Sequence, residues 1–255
     1  MVKAVKILVS DVSGIDYLRP PVAEFLGLGH RDVSPVPERL IWRGHEMLIK
    51  PGISIEDASA LKPDFIMALM GWHGVGVERS RFYEHFFNRG IPVFTWGNDS
   101  NIPKLMVEVR RGNPDSKRVL FHKPDHPILA DVKPEDIRTS GADSRSLVLS
   151  VRGDIGLAYD PDNASWEIIY LEERFGNRRW LHYHPCPCPP PKLVDNMLSY
   201  MTRPKNRAPA AIAGGVGATI GGAILGLSTK KAMYGLVGAG VGGIIGAAVG
   251  WLLSE

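Results

Sequence analysis

A chain of 255 residues, 44% hydrophobic and 22% charged, is long enough for one well-cored domain with an appendage and too short for two large independent domains. Its formal net charge of +3 is unevenly spread, because Thr202 to Ser254 holds Arg203, Lys205, Arg207, Lys230 and Lys231 and no acid, which leaves the preceding body close to neutral. A neutral body argues against nucleic acid as a partner, since that would need Lys and Arg clustered on the folded part. The two cysteines, Cys186 and Cys188, are separated by one proline, too close for an unstrained bridge, so no disulfide scaffold is expected. The apolar run near the start, Val5 to Val9, meets Asp11 at once and has no secretory character, which leads us to expect the body in the cytoplasm.

In chain order, Lys6 to Ser10 reads as a buried parallel strand ending in the polar turn Asp11-Val12-Ser13-Gly14. Glu56 to Leu61 reads as a short helix. Asp64 to Met70 reads as a second buried strand, stopping at Gly71-Trp72-His73-Gly74. Glu78 to Asn88 spaces Phe82, Tyr83, Phe86 and Phe87 as a helix does and is halted by Gly90. Ile91 to Trp96 is a third strand, running into Gly97-Asn98-Asp99-Ser100 and completing a βαβ unit. Leu147 to Val151, Gly156 to Tyr159, Trp166 to Leu171 and Arg179 to His184 follow as closely spaced strands, which suggests an antiparallel extension beside the parallel sheet. Lys192 to Met201 is an amphipathic helix with Leu193, Met197 and Tyr200 on one side. The expected fold is therefore α/β, an open and mostly parallel sheet flanked by helices over residues 1–201, with a basic linker at 202–209.

Residues 210–253 have a different composition. Ala210 to Leu227 and Ala232 to Leu253 carry no charge, and the link between them is Ser228-Thr229-Lys230-Lys231. At about 1.5 Å per residue each run could span a hydrocarbon core of roughly 30 Å, the first only just. Gly238, Gly242, Gly246 and Gly250 recur every four residues, as do Gly214, Ala218, Gly222 and Gly226 in the first run. In water each such glycine would weaken a helix by about 1 kcal/mol relative to Ala. In lipid the backbone amides have no competing solvent, so the helix persists and its bare face admits a second helix closely. The expectation is a C-terminal transmembrane helical hairpin, a glycine zipper that partners the bilayer and joins copies of the chain as a homo-oligomer. Gly238 to Gly243 also matches G-x-G-x-x-G, but that fingerprint calls for a following strand and an acid about twenty residues on, which the residues after it do not supply. No cofactor is expected.

In an open parallel sheet, ligands bind beyond the carboxyl ends of the strands. Three such ends gather Asp11 and Ser13, then Trp72 and His73, then Asn98, Asp99 and Ser100, and these residues form the expected pocket for a small-molecule ligand. Each taken singly also reads as a helix cap or turn residue. The order of strand, glycine turn, helix, strand and sharp turn, then His126-Pro127-Ile128-Leu129-Ala130-Asp131-Val132, then a strand entering Tyr183-His184-Pro185 before a last helix, resembles the class I glutamine amidotransferase-like superfamily over residues 3–201. The resemblance implies a flavodoxin-like sheet, a nucleophilic thiol on the turn after Ile91 to Trp96, and a histidine followed by Pro-Glu, matched here by His184-Pro185. No cysteine stands near Trp96 to Ser100, and Cys186 replaces the glutamate. Covalent acyl transfer lacks its parts without a nucleophile poised against an oriented base. The chain is thus similar to the diverged, trehalose-utilisation-like branch, and the expected role is a membrane-anchored, non-catalytic ligand-binding or scaffold protein.

Two other roles stay open. One is an anchored hydrolase, with Ser100 or Thr95 as hydroxyl nucleophile and His184 as base, or with a metal on His182, His184, Cys186 and Cys188. Imidazole and thiolate are zinc ligands, but a spacing of two with intervening prolines turns alternate side chains apart and favours a rigid connector. The other is a membrane-perturbing effector whose zippered helices oligomerise.

Overall fold

The computed structural model describes residues 4–12, 17–69, 77–96, 107–111, 119–137, 147–151, 156–160, 163–174, 178–183 and 188–203. Of the linker expected at 202–209, residues 204–209 lie outside the described residues, as does the hairpin expected at 210–253. Contacts group residues 1–173 and 178–203 as one unit, and the account that follows concerns that unit.

Along the chain the elements are β1 (Lys6–Val12), α1 (Pro20–Phe25), β2 (Arg39–Trp42), β3 (His45–Ile49), α2 (Ile55–Ala60), β4 (Phe65–Leu69), α3 (Val77–Asn88), β5 (Val93–Trp96), β6 (Val107–Arg111) and β7 (Leu120–Phe121). They continue as β8 (Leu147–Val151), β9 (Gly156–Asp160), β10 (Asn163–Arg174), β11 (Arg178–Tyr183) and α4 (Pro191–Met201). Nine strands form one sheet in the order β2-β3-β1-β4-β5-β11-β10-β9-β7. The run β3-β1-β4-β5-β11 is parallel. Counted along the chain, these five lie in space as second, first, third, fourth and fifth, the doubly wound order of flavodoxin-like sheets, whose direction of winding reverses between β1 and β4. β2, β9 and β7 pair antiparallel at the two sides. The strand at Leu147–Val151 does not extend this sheet as expected: it pairs with β6 in a separate two-stranded antiparallel ribbon.

Both faces of the sheet are covered, which is why β4 is buried at every residue and its sequence is an uninterrupted apolar run. On one face α1 and α4 pack Val22, Phe25, Leu193, Val194 and Met197 against Ile7, Val9, Met67 and Phe94. On the other, Phe82, Tyr83, Phe86 and Phe87 of α3 and Ala58 of α2 cover Leu8, Ile66, Ala68, Val93, Tyr170 and Trp180. Four aromatic side chains at helical spacing, each at most 3% exposed, contribute about 2 kcal/mol apiece through burial and hold α3 over the strand ends. Local signals set the limits of the helices. Ser54 accepts from the Asp57 amide at 3.0 Å to cap α2, and Gly90 at φ 71° follows α3 where an L residue would be strained. Among the described residues no helix is long and apolar enough to cross a membrane.

Candidate functional site

Side chains on a regular strand alternate, so Ser10 and Asp11 would face opposite sides of the sheet. The pairing of β1 with β4 shifts, however: Val9 lies opposite Met67 and Asp11 opposite Ala68, one extra residue on β1. Such a bulge re-aims side chains at the end of a strand. Here both residues come within reach of Tyr83 on α3. The Tyr83 hydroxyl donates to Asp11 Oδ2. Ser10 Oγ lies 3.2 Å from Asp11 Oδ2, 3.2 Å from the Tyr83 hydroxyl and 3.4 Å from the Met67 carbonyl oxygen. Ser10 is fully buried, Tyr83 nearly so, and Asp11 half-buried. The group stands at the carboxyl end of β1 beside β4, where the sheet reverses direction.

The register carries the same row across three more strands. Asp11 is level with Ala68, Ala68 with Thr95, and Thr95 with His182. Thr95 Oγ1 is 2.8 Å from His182 Nδ1 and accepts the Trp180 indole N–H at 3.0 Å. An indole is only a donor, so one lone pair of the Thr95 oxygen is already engaged, and its proton is in position to go to the imidazole. His182 is buried, and the fully buried Tyr170 ring lies 5.2 Å from it. Burial, reinforced by the charge of Glu172, holds the Tyr170 phenol well above its ordinary range.

A second polar group lies at the start of β11. Arg179 Nε donates to Glu173 Oε1 at 2.9 Å, its Nη1 donates to the Tyr200 carbonyl at 2.8 Å, and the Tyr200 hydroxyl donates to Glu173 Oε2 at 2.7 Å. The Arg179 and Arg203 guanidiniums lie 4.9 and 5.1 Å from the Tyr200 ring centre, and the His126 ring is 5.0 Å away. Burial would raise the Glu173 carboxyl, but the hydrogen bonds from Arg179 and Tyr200 and the nearby positive charges outweigh it and hold it below the usual carboxylate value. Burial, with the hydrogen bond to and charge of Glu173, pushes Tyr200 up to about 12. His126 is held below its ordinary value by burial first and by Lys123 next. Both carboxylate oxygens here have donors and one donor is a cation, which makes this a fastening for the last turn of α4.

Of the residues expected to form the pocket, Asp11 is described and stands near the carboxyl end of β1. Ser13, Trp72, His73, Asn98, Asp99 and Ser100 lie outside the described residues, as do His184, Cys186 and Gly214, Gly222, Gly226, Gly238, Gly242, Gly246 and Gly250 of the tail. His182 and Cys188 are not brought together. His182 faces Thr95 beneath the α3 side, whereas Cys188 packs against the opposite core and donates to the Pro21 carbonyl at 3.4 Å. Among the described residues no three His, Cys, Asp or Glu side chains are grouped to hold a metal ion.

Ser10 and Tyr83 are the site residues that sequence reasoning passed over. Tyr83 reads as part of an apolar stripe, and only its hydroxyl, the one polar atom on that stripe, hints at a partner. Ser10 reads as the end of a strand. Comparison with protein-family models finds no match for this chain, and comparison with the curated proteins finds none either.

Proposed function

We propose that this chain is a membrane-anchored, non-catalytic ligand-binding protein or scaffold, a diverged relative of the class I glutamine amidotransferase-like proteins whose pocket opens at the carboxyl ends of β1 and β4. The observation that carries the reading is the convergence of Ser10, Asp11 and Tyr83 at the point where the sheet reverses, the usual ligand crevice of a doubly wound sheet. The thiol that such relatives use is missing from the turn after β5, and the nearest hydroxyl on that strand, Thr95, is tied between Trp180 and His182. The bilayer anchor rests on the uncharged, glycine-spaced runs at 210–253, whose glycine faces suit close packing between copies of the chain, and the basic flank of Arg203, Lys205 and Arg207 favours a domain on the cytoplasmic side. Mixing the purified full chain with phosphatidylcholine vesicles and floating them tests the anchor: the protein should rise with the lipid. A chain that stays monodisperse in detergent-free buffer and remains below the gradient defeats it.

The 2.8 Å contact between Thr95 and His182 favours one rival, an anchored hydrolase. In that case the wild-type chain hydrolyses a p-nitrophenyl ester and Thr95→Val abolishes turnover. The non-catalytic reading expects both proteins to leave the ester intact.

A further inference from the structure

At the carboxyl end of β3, which flanks β1 on the side away from β4, the surface folds around a cavity of about 650 Å³. That volume suits a small-molecule ligand. Its border is made by residues between Ser34 and Glu38, by the segment from Ile49 to Ile53 and by the start of α2. Backbone hydrogen bonds hold these pieces in place. The Ile49 N–H donates to the Glu38 carbonyl at 2.9 Å, the Lys50 N–H to the Val9 carbonyl at 2.9 Å and the Gly52 N–H to the Ser10 carbonyl at 3.0 Å. The last two tie the cavity to the carboxyl end of β1, the edge of a doubly wound sheet at which ligands bind.

Val36, Ile49 and Ile53 give the border an apolar part, and two polar pairs give it charge. In one, Lys50 Nζ donates to Glu38 Oε2 at 2.7 Å; in the other, Ser54 Oγ donates to Asp57 Oδ2 at 2.9 Å. A lysine ammonium carries three donors and Glu38 engages one of them. The Asp57 carboxylate is served by a hydroxyl and by no cation among the described residues. Lys50 thus has donors to offer and Asp57 has acceptors. A simple anion entering the cavity meets the carboxylates of Glu38 and Asp57, and a simple cation meets Lys50. A molecule that carries one charge of each sign has a partner for both.

We propose that this cavity binds a small zwitterion of the α-amino-acid class, its carboxylate on Lys50, its ammonium on Asp57 and an apolar side chain toward Val36, Ile49 and Ile53. The site is separate from the crevice at the ends of β1 and β4 and does not rest on it.

The test titrates the purified full chain with L-valine, with isobutylamine, which lacks the carboxylate, with 3-methylbutanoate, which lacks the ammonium, and with magnesium chloride, following the Lys50, Gly52 and Ile53 amides by NMR. Valine should saturate, and each of the two half-molecules should bind at least about threefold more weakly, the loss expected for one partly exposed charge pair. Lys50→Met should bring valine down to the affinity of isobutylamine, and Asp57→Asn should bring it down to that of 3-methylbutanoate, while the remaining amide spectrum stays that of the wild type. Either half-molecule binding as tightly as valine overturns the zwitterion and leaves the cavity to a single charge. Magnesium displacing valine from these amides overturns it in favour of a metal ion. Valine binding that survives both substitutions overturns the roles of Lys50 and Asp57. Silence of the three wild-type amides toward valine overturns the site, whether or not the variants fold.

Discussion

Two tyrosines, each carried by a helix, donate to a carboxylate carried by a strand: Tyr83 to Asp11 and Tyr200 to Glu173. The surroundings differ. Glu173 also receives Arg179, so its second oxygen has a donor and its charge is balanced within the fold. Asp11 is supported by the hydroxyls of Tyr83 and Ser10 and reaches the rim of the strand ends. Charge balance with both oxygens served makes a fastening, whereas the Asp11 group stands at the carboxyl end of a strand, the part of a doubly wound sheet where ligands bind. The same side-chain pair therefore occurs at two different places in the fold, one fastening the end of α4 and one joining α3 to the carboxyl end of β1.

The sharpest way to break this contrast is to remove the balancing cation. Arg179→Met should cost about 3 kcal/mol in chemical denaturation of the full chain followed by tryptophan fluorescence, because it strips Glu173 and the Tyr200 carbonyl of donors where Arg179 itself is only 8% exposed. Tyr200→Phe should follow at about 1.5 kcal/mol, reduced because the Glu173 end is partly open to solvent. Tyr83→Phe removes one hydrogen bond to a half-exposed carboxylate and should cost about 1 kcal/mol in the same measurement. Asp11→Asn should cost roughly 0.5 kcal/mol or less, since the amide oxygen still accepts from both hydroxyls. A loss at Asp11 as large as that at Arg179 would erase the distinction between the two sites.

The smallest effect is a titration. The neutral form of His126 is favoured in the folded chain, since burial and Lys123 hold it below its ordinary value. The unfolded chain therefore takes up the proton first as pH falls. Its contribution to stability is complete above about pH 6.5 and declines as the pH drops from there through the lower folded value. An NMR titration of the imidazole should place its midpoint below 6.5, and a midpoint above it would show Glu173 dominating the site. Tyr200 behaves in the opposite sense. Its raised value of about 12 means that its contribution is intact below about pH 10 and is lost between there and 12, which ultraviolet difference spectra would follow.

Much of the parallel half was legible because its strands are apolar runs cut off by glycine or proline. Phe65 to Leu69 and Val93 to Trp96 fall inside their expected spans, and α3 and α4 begin within one residue of theirs. The β2 and β3 hairpin was not legible. Its two-residue turn is Arg43-Gly44 with φ 51° and 78°, and arginine is not a residue that announces a left-handed position. The helix α1 was missed as well, since six residues opening with Pro20-Pro21 show no full period. The ribbon of β6 and β8 shows how little a strand sequence says about its sheet. Leu147 to Val151 was readable as a strand, yet its partner is Val107 to Arg111 and not the large sheet.

By itself the sequence determined the class of the domain, the order of its principal elements and the sharp change of composition after Met201, because burial periodicity and chain-breaking residues act over a few neighbours. The tertiary structure decided which polar side chains meet. Asp11 and Tyr83 are 72 positions apart, and Thr95 and His182 are 87. Their encounter depends on one extra residue in β1 and on the order of strands in the sheet, neither of which leaves a local pattern. Local forces write themselves into short stretches of sequence, but contacts between distant residues follow from how the elements pack.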